Sequence, residues 1–261
     1  MMQRRDFLGT TCLAGAAALT SLAEAAKAAD AGPKQWIELR TYKVEAGAMR
    51  TRLETFLRGA AIPALNRAGV ETVGVFSLMD EKSADLTVLL PYKSIEAFAA
   101  ASRKLLADAD YQKAGAESLN APKNAPLYAR IESSLLLAFD SVPKVEVANK
   151  KATRVFQLRI YESHSDAKAR KKIEMFNTGG EVALFRRVGM QPVFFGETIL
   201  GAKMPNLTYM LVFDDMDANK AAWDRFGKHP EWEKMKNDPQ YADTVSNITN
   251  TLLKPAAFSQ I

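Results

Sequence analysis

The chain has 261 residues, 48% hydrophobic and 25% charged, with 14 Gly and 11 Pro; this balance belongs to globular proteins and excludes collagen-like, low-complexity and disordered chains. Lys and Arg number 35 against 30 Asp and Glu, a net charge of +5 scattered along the sequence, too thin for the clustered basic face that tracks a nucleic-acid backbone. The one cysteine, Cys12, can close no internal disulfide and build no cysteine zinc site.

The first thirty residues have a composition of their own. Gln3-Arg4-Arg5-Asp6-Phe7-Leu8 precedes a mild apolar run from Thr10 to Leu22, and small residues alternate in Ala23-Glu24-Ala25 and Ala26-Lys27-Ala28. This is the layout of a cleavable export signal over 1–28; a spanning helix needs about 20 strongly apolar residues. Arg4-Arg5-x-Phe7-Leu8 resembles the twin-arginine motif, which implies bacterial export in the folded state, to the periplasm. Cys12 would leave with the signal, which suits an oxidising compartment.

The rest of the chain is one unit written twice. Trp36-Ile37-Glu38-Leu39-Arg40-Thr41-Tyr42 returns as Val155-Phe156-Gln157-Leu158-Arg159-Ile160-Tyr161. Further matches follow in order: Leu53-x-x-Phe56 with Ile173-x-x-Phe176, Ala68-Gly69-Val70 with Val188-Gly189-Met190, and Leu86 to Tyr92 with Leu207 to Phe213. Asp110-Tyr111-Gln112-Lys113 then matches Glu231-Trp232-Glu233-Lys234, and Ile131 to Leu136 matches Ile248 to Leu253. The copies span 36–140 and 153–258, joined by a polar, aperiodic linker, 141–152.

Residues 36–42, rich in branched and aromatic side chains, predict a strand. Apolar residues at 49, 53, 56, 57, 60 and 64 keep helical spacing, with Pro63 expected to disturb the last turn and Gly69 to end it. A strand near 72–78 follows, then 86–92, apolar on both parities as an interior strand requires. Ser94 stands where a helix N-cap is wanted. Ile95, Phe98, Ser102 and Leu105 define the second helix, with counterparts Met216, Asn219, Trp223 and Phe226; a short helical stretch near 110–118 and a strand over 128–138 complete the copy. The order βαββαβ is the ferredoxin-like plan of an α+β protein. One copy alone would leave a sheet face bare. Two copies can close into a joint intrachain barrel.

The chain resembles the NIPSNAP family of the dimeric α+β barrel superfamily. The carrying residues are Glu38-Leu39-Arg40-x-Tyr42, Gly47, Gly69 to Phe76, Leu90-Pro91-Tyr92 and Ile131 to Leu137; the second copy departs with Val212-Phe213 for Pro91-Tyr92 and Gly196 for Phe76. The resemblance implies a tandem barrel and no settled activity.

The period-2 rule puts Ile37, Leu39, Thr41 and Phe156, Leu158, Ile160 on one face, expected under the helices. Glu38, Arg40, Tyr42, Gln157, Arg159 and Tyr161 are then expected in the barrel lumen, as a pocket for a small anionic or carbonyl-bearing ligand; the rival reading pairs each Arg with Glu38 or another carboxylate. His164, near Asp166, reads as a solvated loop residue. His229 is the one plausible analogue of the axial haem ligand found in the wider superfamily, against a surface His near a helix end. Phe194, Phe195, Tyr209, Phe213, Trp223, Phe226 and Trp232 read as core. Hydrolase, zinc-protease and nucleotide-loop motifs are missing. No cofactor and no metal are expected, with haem as the exception through His229. The function expected is an exported protein that binds a small molecule in the barrel or a protein partner, without a membrane span and with self-association possible. A cofactor-independent monooxygenase or isomerase is the alternative.

Overall fold

A computed structural model describes residues 33–261 of the chain; the expected signal over 1–28 lies outside these residues. The first copy runs β1 (Trp36–Lys43), α1 (Ala48–Phe56), a π-helical turn (Leu57–Ala61), α2 (Ile62–Ala68), β2 (Gly74–Leu78), β3 (Leu86–Tyr92), α3 (Ile95–Ala107), α4 (Ala109–Ala114), α5 (Ala116–Leu119) and β4 (Arg130–Ala138). The second runs β5 (Val155–Glu162), α6 (Asp166–Phe176), α7 (Glu181–Arg187), β6 (Gln191–Leu200), β7 (Asn206–Phe213), α8 (Met216–Gly227), α9 (Pro230–Lys236) and β8 (Asn247–Pro255). Both copies realise the ferredoxin-like order.

Local signals act where expected. Ser94 accepts from the Ala97 amide at the start of α3, and Gly69 closes α2 at φ 103°, a left-handed cap that costs glycine little. Pro63 does not break its helix. It has no N–H to give the Gly59 carbonyl, and the preceding π turn widens the backbone so that helical structure runs on to Ala68.

The eight strands close into one antiparallel barrel in the order β1-β3-β2-β8-β5-β7-β6-β4. The seams between copies are β2 with β8, from Phe76↔Pro255 to Leu78↔Leu253, and β4 with β6, from Leu135↔Leu200 to Ala138↔Gly196. Closure removes the bare sheet edges. Three cores result. One lies between sheet and helices in each copy, and the third fills the barrel with Ile37, Phe76, Leu89 and Leu136 from the first copy and Phe156, Phe194, Met210, Val212 and Leu253 from the second.

This packing reverses the face expected for the strand residues. Ile37, Leu39, Phe156 and Leu158 belong to the barrel interior, while Tyr42 and Tyr161 pack with the helices. The reason is that both faces of β1 and β5 are covered. The narrow lumen admits little water and takes the apolar set, and the polar set goes to the sheet–helix layer, where side chains of β3, β4 and α8 satisfy it.

Candidate functional site

In the first copy Glu38 is the hub. It is 4% exposed and shares its face with Leu90 on β3 and Leu135 on β4, directly opposite in register. Arg40 grips it through Nε to Oε1 and Nη2 to Oε2, both 2.9 Å, the bidentate geometry that suits a carboxylate. Tyr92 donates its hydroxyl to Oε2 at 3.0 Å and Ser133 to Oε1 at 2.7 Å. Arg40 also donates to the Tyr42 hydroxyl at 3.2 Å. Burial works against the Arg40 charge, yet Tyr42 and Glu38 together hold its pKa above the usual value. The Tyr92 hydroxyl is pushed up by burial and then by Glu38. No buried side-chain atom of this trio lacks a hydrogen-bond partner, and one guanidinium faces one carboxylate.

In the second copy Gln157 replaces Glu38, and the wiring changes. Gln157 Oε1 accepts from Asn219 Nδ2 at 3.0 Å and Trp223 Nε1 at 2.6 Å, and its Nε2 donates to Asn250 at 2.8 Å. No carboxylate among the described residues forms an ion pair with Arg159. Its guanidinium lies 4.6 Å from the Trp223 ring centre and 5.3 Å from that of Tyr161, and its buried Nε has no hydrogen-bond partner among the described residues. Glu181, 1% exposed, is taken by Lys172 at 3.0 Å. Burial pushes its carboxyl up; Lys172 and, more weakly, Arg159 pull it back. Two cations against one carboxylate leave the cluster one positive charge in surplus.

The surroundings of Arg159 are aromatic. Phe195 and Tyr209 stack at 4.8 Å, the Tyr209 and Tyr161 hydroxyls meet at 3.2 Å, and Phe185, Trp223, Phe226 and Trp232 follow edge to face or tilted. Burial raises the pKa of both tyrosines, so both stay protonated. On β8, Asn250 and Ile248, opposite Arg159 and Tyr161 in register, are exposed.

The expected aromatic cluster is therefore core, with Phe194 on the lumen side and the others beneath the helices, and only Trp223 and Trp232 partly open. The six polar strand residues do come together, but as two separate trios on the helix side and not as one set in the lumen. Sequence reasoning missed Ser133, Tyr92, Asn219 and Asn250 as their partners. The signal was present in register: each lies on a strand or helix facing the same trio.

The barrel mouth holds a cavity of about 480 Å³ lined by Leu39, Thr41, Thr87, Ser134, Leu158, Ile160, Thr198, Lys203 and Thr208, among others. His164 sits half-exposed with Nε2 3.6 Å from Asp243. His229 caps α9, its Nδ1 accepting from the Glu231 amide at 3.2 Å. Its neighbours Lys228 and Glu231 are ion-paired with Asp224 and Arg187, a charged surface that does not fit a haem. Among the described residues no three His, Cys, Asp or Glu side chains group as a metal site, and no helix is long and apolar enough to cross a membrane.

The NIPSNAP family model matches residues 37–141 and again 156–260, the two copies found by self-comparison. No curated protein has a significantly similar sequence. Among solved structures, a "putative monooxygenase" of Fusobacterium nucleatum is similar at a TM-score of 0.58 and 10% identity, covering 86% of this chain and 93% of its own. One from Lactobacillus acidophilus gives 0.56 and 13%, covering 85% and 94%. An "anthrone oxidase-like protein" gives 0.50 and 10%, covering 87% and 93%. At these identities the likeness is one of fold.

Proposed function

The chain belongs to the NIPSNAP family, and on that footing we propose that it binds a small molecule, with Arg159 of the second copy holding a flat, oxygen-bearing ligand. The observation that carries this reading is a guanidinium without a carboxylate partner: Arg159 lies on Trp223, and its buried Nε has no acceptor among the described residues. A buried donor left unmade is costly, and a carbonyl, phenolate or enolate oxygen would meet both the free N–H and the surplus charge. Aromatic surroundings match a flat ring. Arg40, gripped by Glu38, has no buried atom without a partner. Titration calorimetry with anthrone, a flat ketone, tests the reading. Saturable binding is expected, weakened about tenfold or more by Arg159→Met, the range of a hydrogen bond to a charged group. Gln157→Glu should weaken it as much by giving Arg159 an internal carboxylate. Binding indifferent to both changes would sink the proposal.

A second reading, a cofactor-independent monooxygenase or isomerase, is favoured by the paired hydroxyls of Tyr161 and Tyr209 beside that cation. Protonated tyrosines and a guanidinium are suited to stabilise an enolate formed from a bound ketone. The names carried by the fold neighbours are in keeping with it. Oxygen uptake with anthrone above the uncatalysed rate supports this reading; binding without uptake leaves the binding reading alone.

We also propose, from the sequence of 1–28, export in the folded state. Lysine at both Arg4 and Arg5 should hold the precursor in the cytoplasm, visible as uncleaved protein in fractionated cells; unchanged export would refute the twin-arginine reading.

A further inference from the structure

The cavity at the barrel mouth is distinct from the two polar trios and has different chemistry. Both copies build it: Leu39, Thr41 and Thr87 come from β1 and β3, Ser134 from β4, and Leu158, Ile160 and Thr208 from β5 and β7. Its volume of about 480 Å³ lies within the range of small-molecule sites. The hydrogen-bond accounting divides its wall in two. On one side Asn206 is spent: Oδ1 accepts from Thr198 at 2.6 Å and Thr208 at 3.0 Å, and Nδ2 donates to the carbonyls of Ala202 and Lys203. On the other, Thr41 and Thr87, opposite each other in register, and Ser134 have no side-chain hydrogen bond among the described residues.

The charges at the rim are already matched. Glu132 faces Lys43 at 3.3 Å, which also meets Asp85, and Lys203 lies 3.5 Å from Glu162 and donates to Thr249 at 2.8 Å. Three carboxylates face two ammonium groups, so the mouth offers no surplus cation to an anion. What remains is an apolar patch of Leu39, Leu158 and Ile160 beneath three free hydroxyls.

We infer that the barrel mouth is a second binding site, for a small neutral aliphatic molecule bearing an alcohol or ketone oxygen. The alkyl part lies on the leucines and isoleucine, and the oxygen bonds to Thr41, Thr87 and Ser134. The surroundings of Arg159, aromatic and cationic, would not choose such a molecule.

The test uses the full chain and probes of similar length: 1-hexanol, 2-hexanone, hexanoate and hexylammonium, followed by saturation-transfer NMR and calorimetry. The expected result is saturable binding of the two neutral probes, each at least tenfold tighter than either charged one. The double change Thr41→Val and Thr87→Val keeps side-chain shape while removing two neutral hydrogen-bonding groups. It should weaken 2-hexanone about tenfold, each lost bond being a factor of a few, with the melting temperature checked alongside. Thr87→Phe, which fills the mouth, should abolish binding. Equal affinity for neutral and charged probes, no measurable binding, or wild-type affinity in the double variant would each overturn the inference.

Discussion

Arg40 and Arg159 occupy equivalent places in the two copies and keep opposite electrostatic company. Arg40 is fixed by a carboxylate 4% exposed. Removing it strands Glu38 without its counter-charge, so Arg40→Met is expected to cost about 3 kcal/mol, the low end for breaking a buried pair. Arg159→Met removes a group whose Nε is unsatisfied and loses a stacking contact worth about 1 kcal/mol, so its net cost should stay near or below that. Urea unfolding of the two variants checks the contrast, and equal losses would refute it. A second buried pair behaves like that of Arg40: Lys172→Met leaves Glu181, 1% exposed, uncompensated, and should cost about 3–5 kcal/mol. Adding Glu181→Gln should recover part of that. Because burial raises the Glu181 pKa in the fold, the folded state holds this proton more tightly than the unfolded one, and its contribution to stability falls as pH rises above the ordinary carboxylate value. That slope should vanish in Glu181→Gln. The repeated arginine was legible in the sequence, as was the change of Glu38 to Gln157. The face was not, since alternation says that two sets are separated but not which is dry.

At the scale of elements the punctuation was legible and the deviations were not. Gly69 and Gly189, aligned by the repeat, both cap helices at positive φ, 103° and 86°. A Cβ at Gly69 would meet nothing within 4 Å, so the cost of Gly69→Ala is backbone alone, about 1–2 kcal/mol. At Gly189 the same atom would lie 3.1 Å from Arg225 Nη2, a guanidinium that holds the Val188 carbonyl at 2.8 Å. Gly189→Ala should therefore lower the melting temperature at least as much as Gly69→Ala; a smaller effect would show that Arg225 yields without cost. The π turn before Pro63 escaped the sequence because periodicity alone cannot separate a kink from a widened turn. The linker 141–152 is aperiodic as read, yet it is tied down. Val142 is fully buried, the Val145 amide donates to Gln35 and the Glu146 amide to the Val193 carbonyl. Those bonds are long-range, and no local pattern announces them.

The molecule as a whole is decided by the shared interior. Self-comparison of the sequence gave two copies and a reason for them to close; the strand order across the seams needed the coordinates. Both copies contribute to the lumen core, with Phe76 against Phe156 at 4.8 Å between ring centres, so neither half can bury its sheet alone. Two predictions follow from that sharing. A fragment carrying 33–140 should not be a folded monomer: it should aggregate or pair with itself through the seams at β2 and β4. In the full chain, unfolding should be one transition although the sequence has two homologous units. Trp36 reports on the first copy and Trp223 with Trp232 on the second, so tryptophan-to-phenylalanine variants that leave one reporter at a time can follow each copy in urea. Phe156→Ala, a cavity in the common core, is expected to cost about 3–5 kcal/mol and to shift both reporters equally, although the residue belongs to the second copy. Separate midpoints for the two reporters, or a stable monomeric half, would mean that the copies fold independently and merely touch. Equal shifts would mean that the duplication makes one folding unit, in which a substitution in either copy is felt at the polar trios of both.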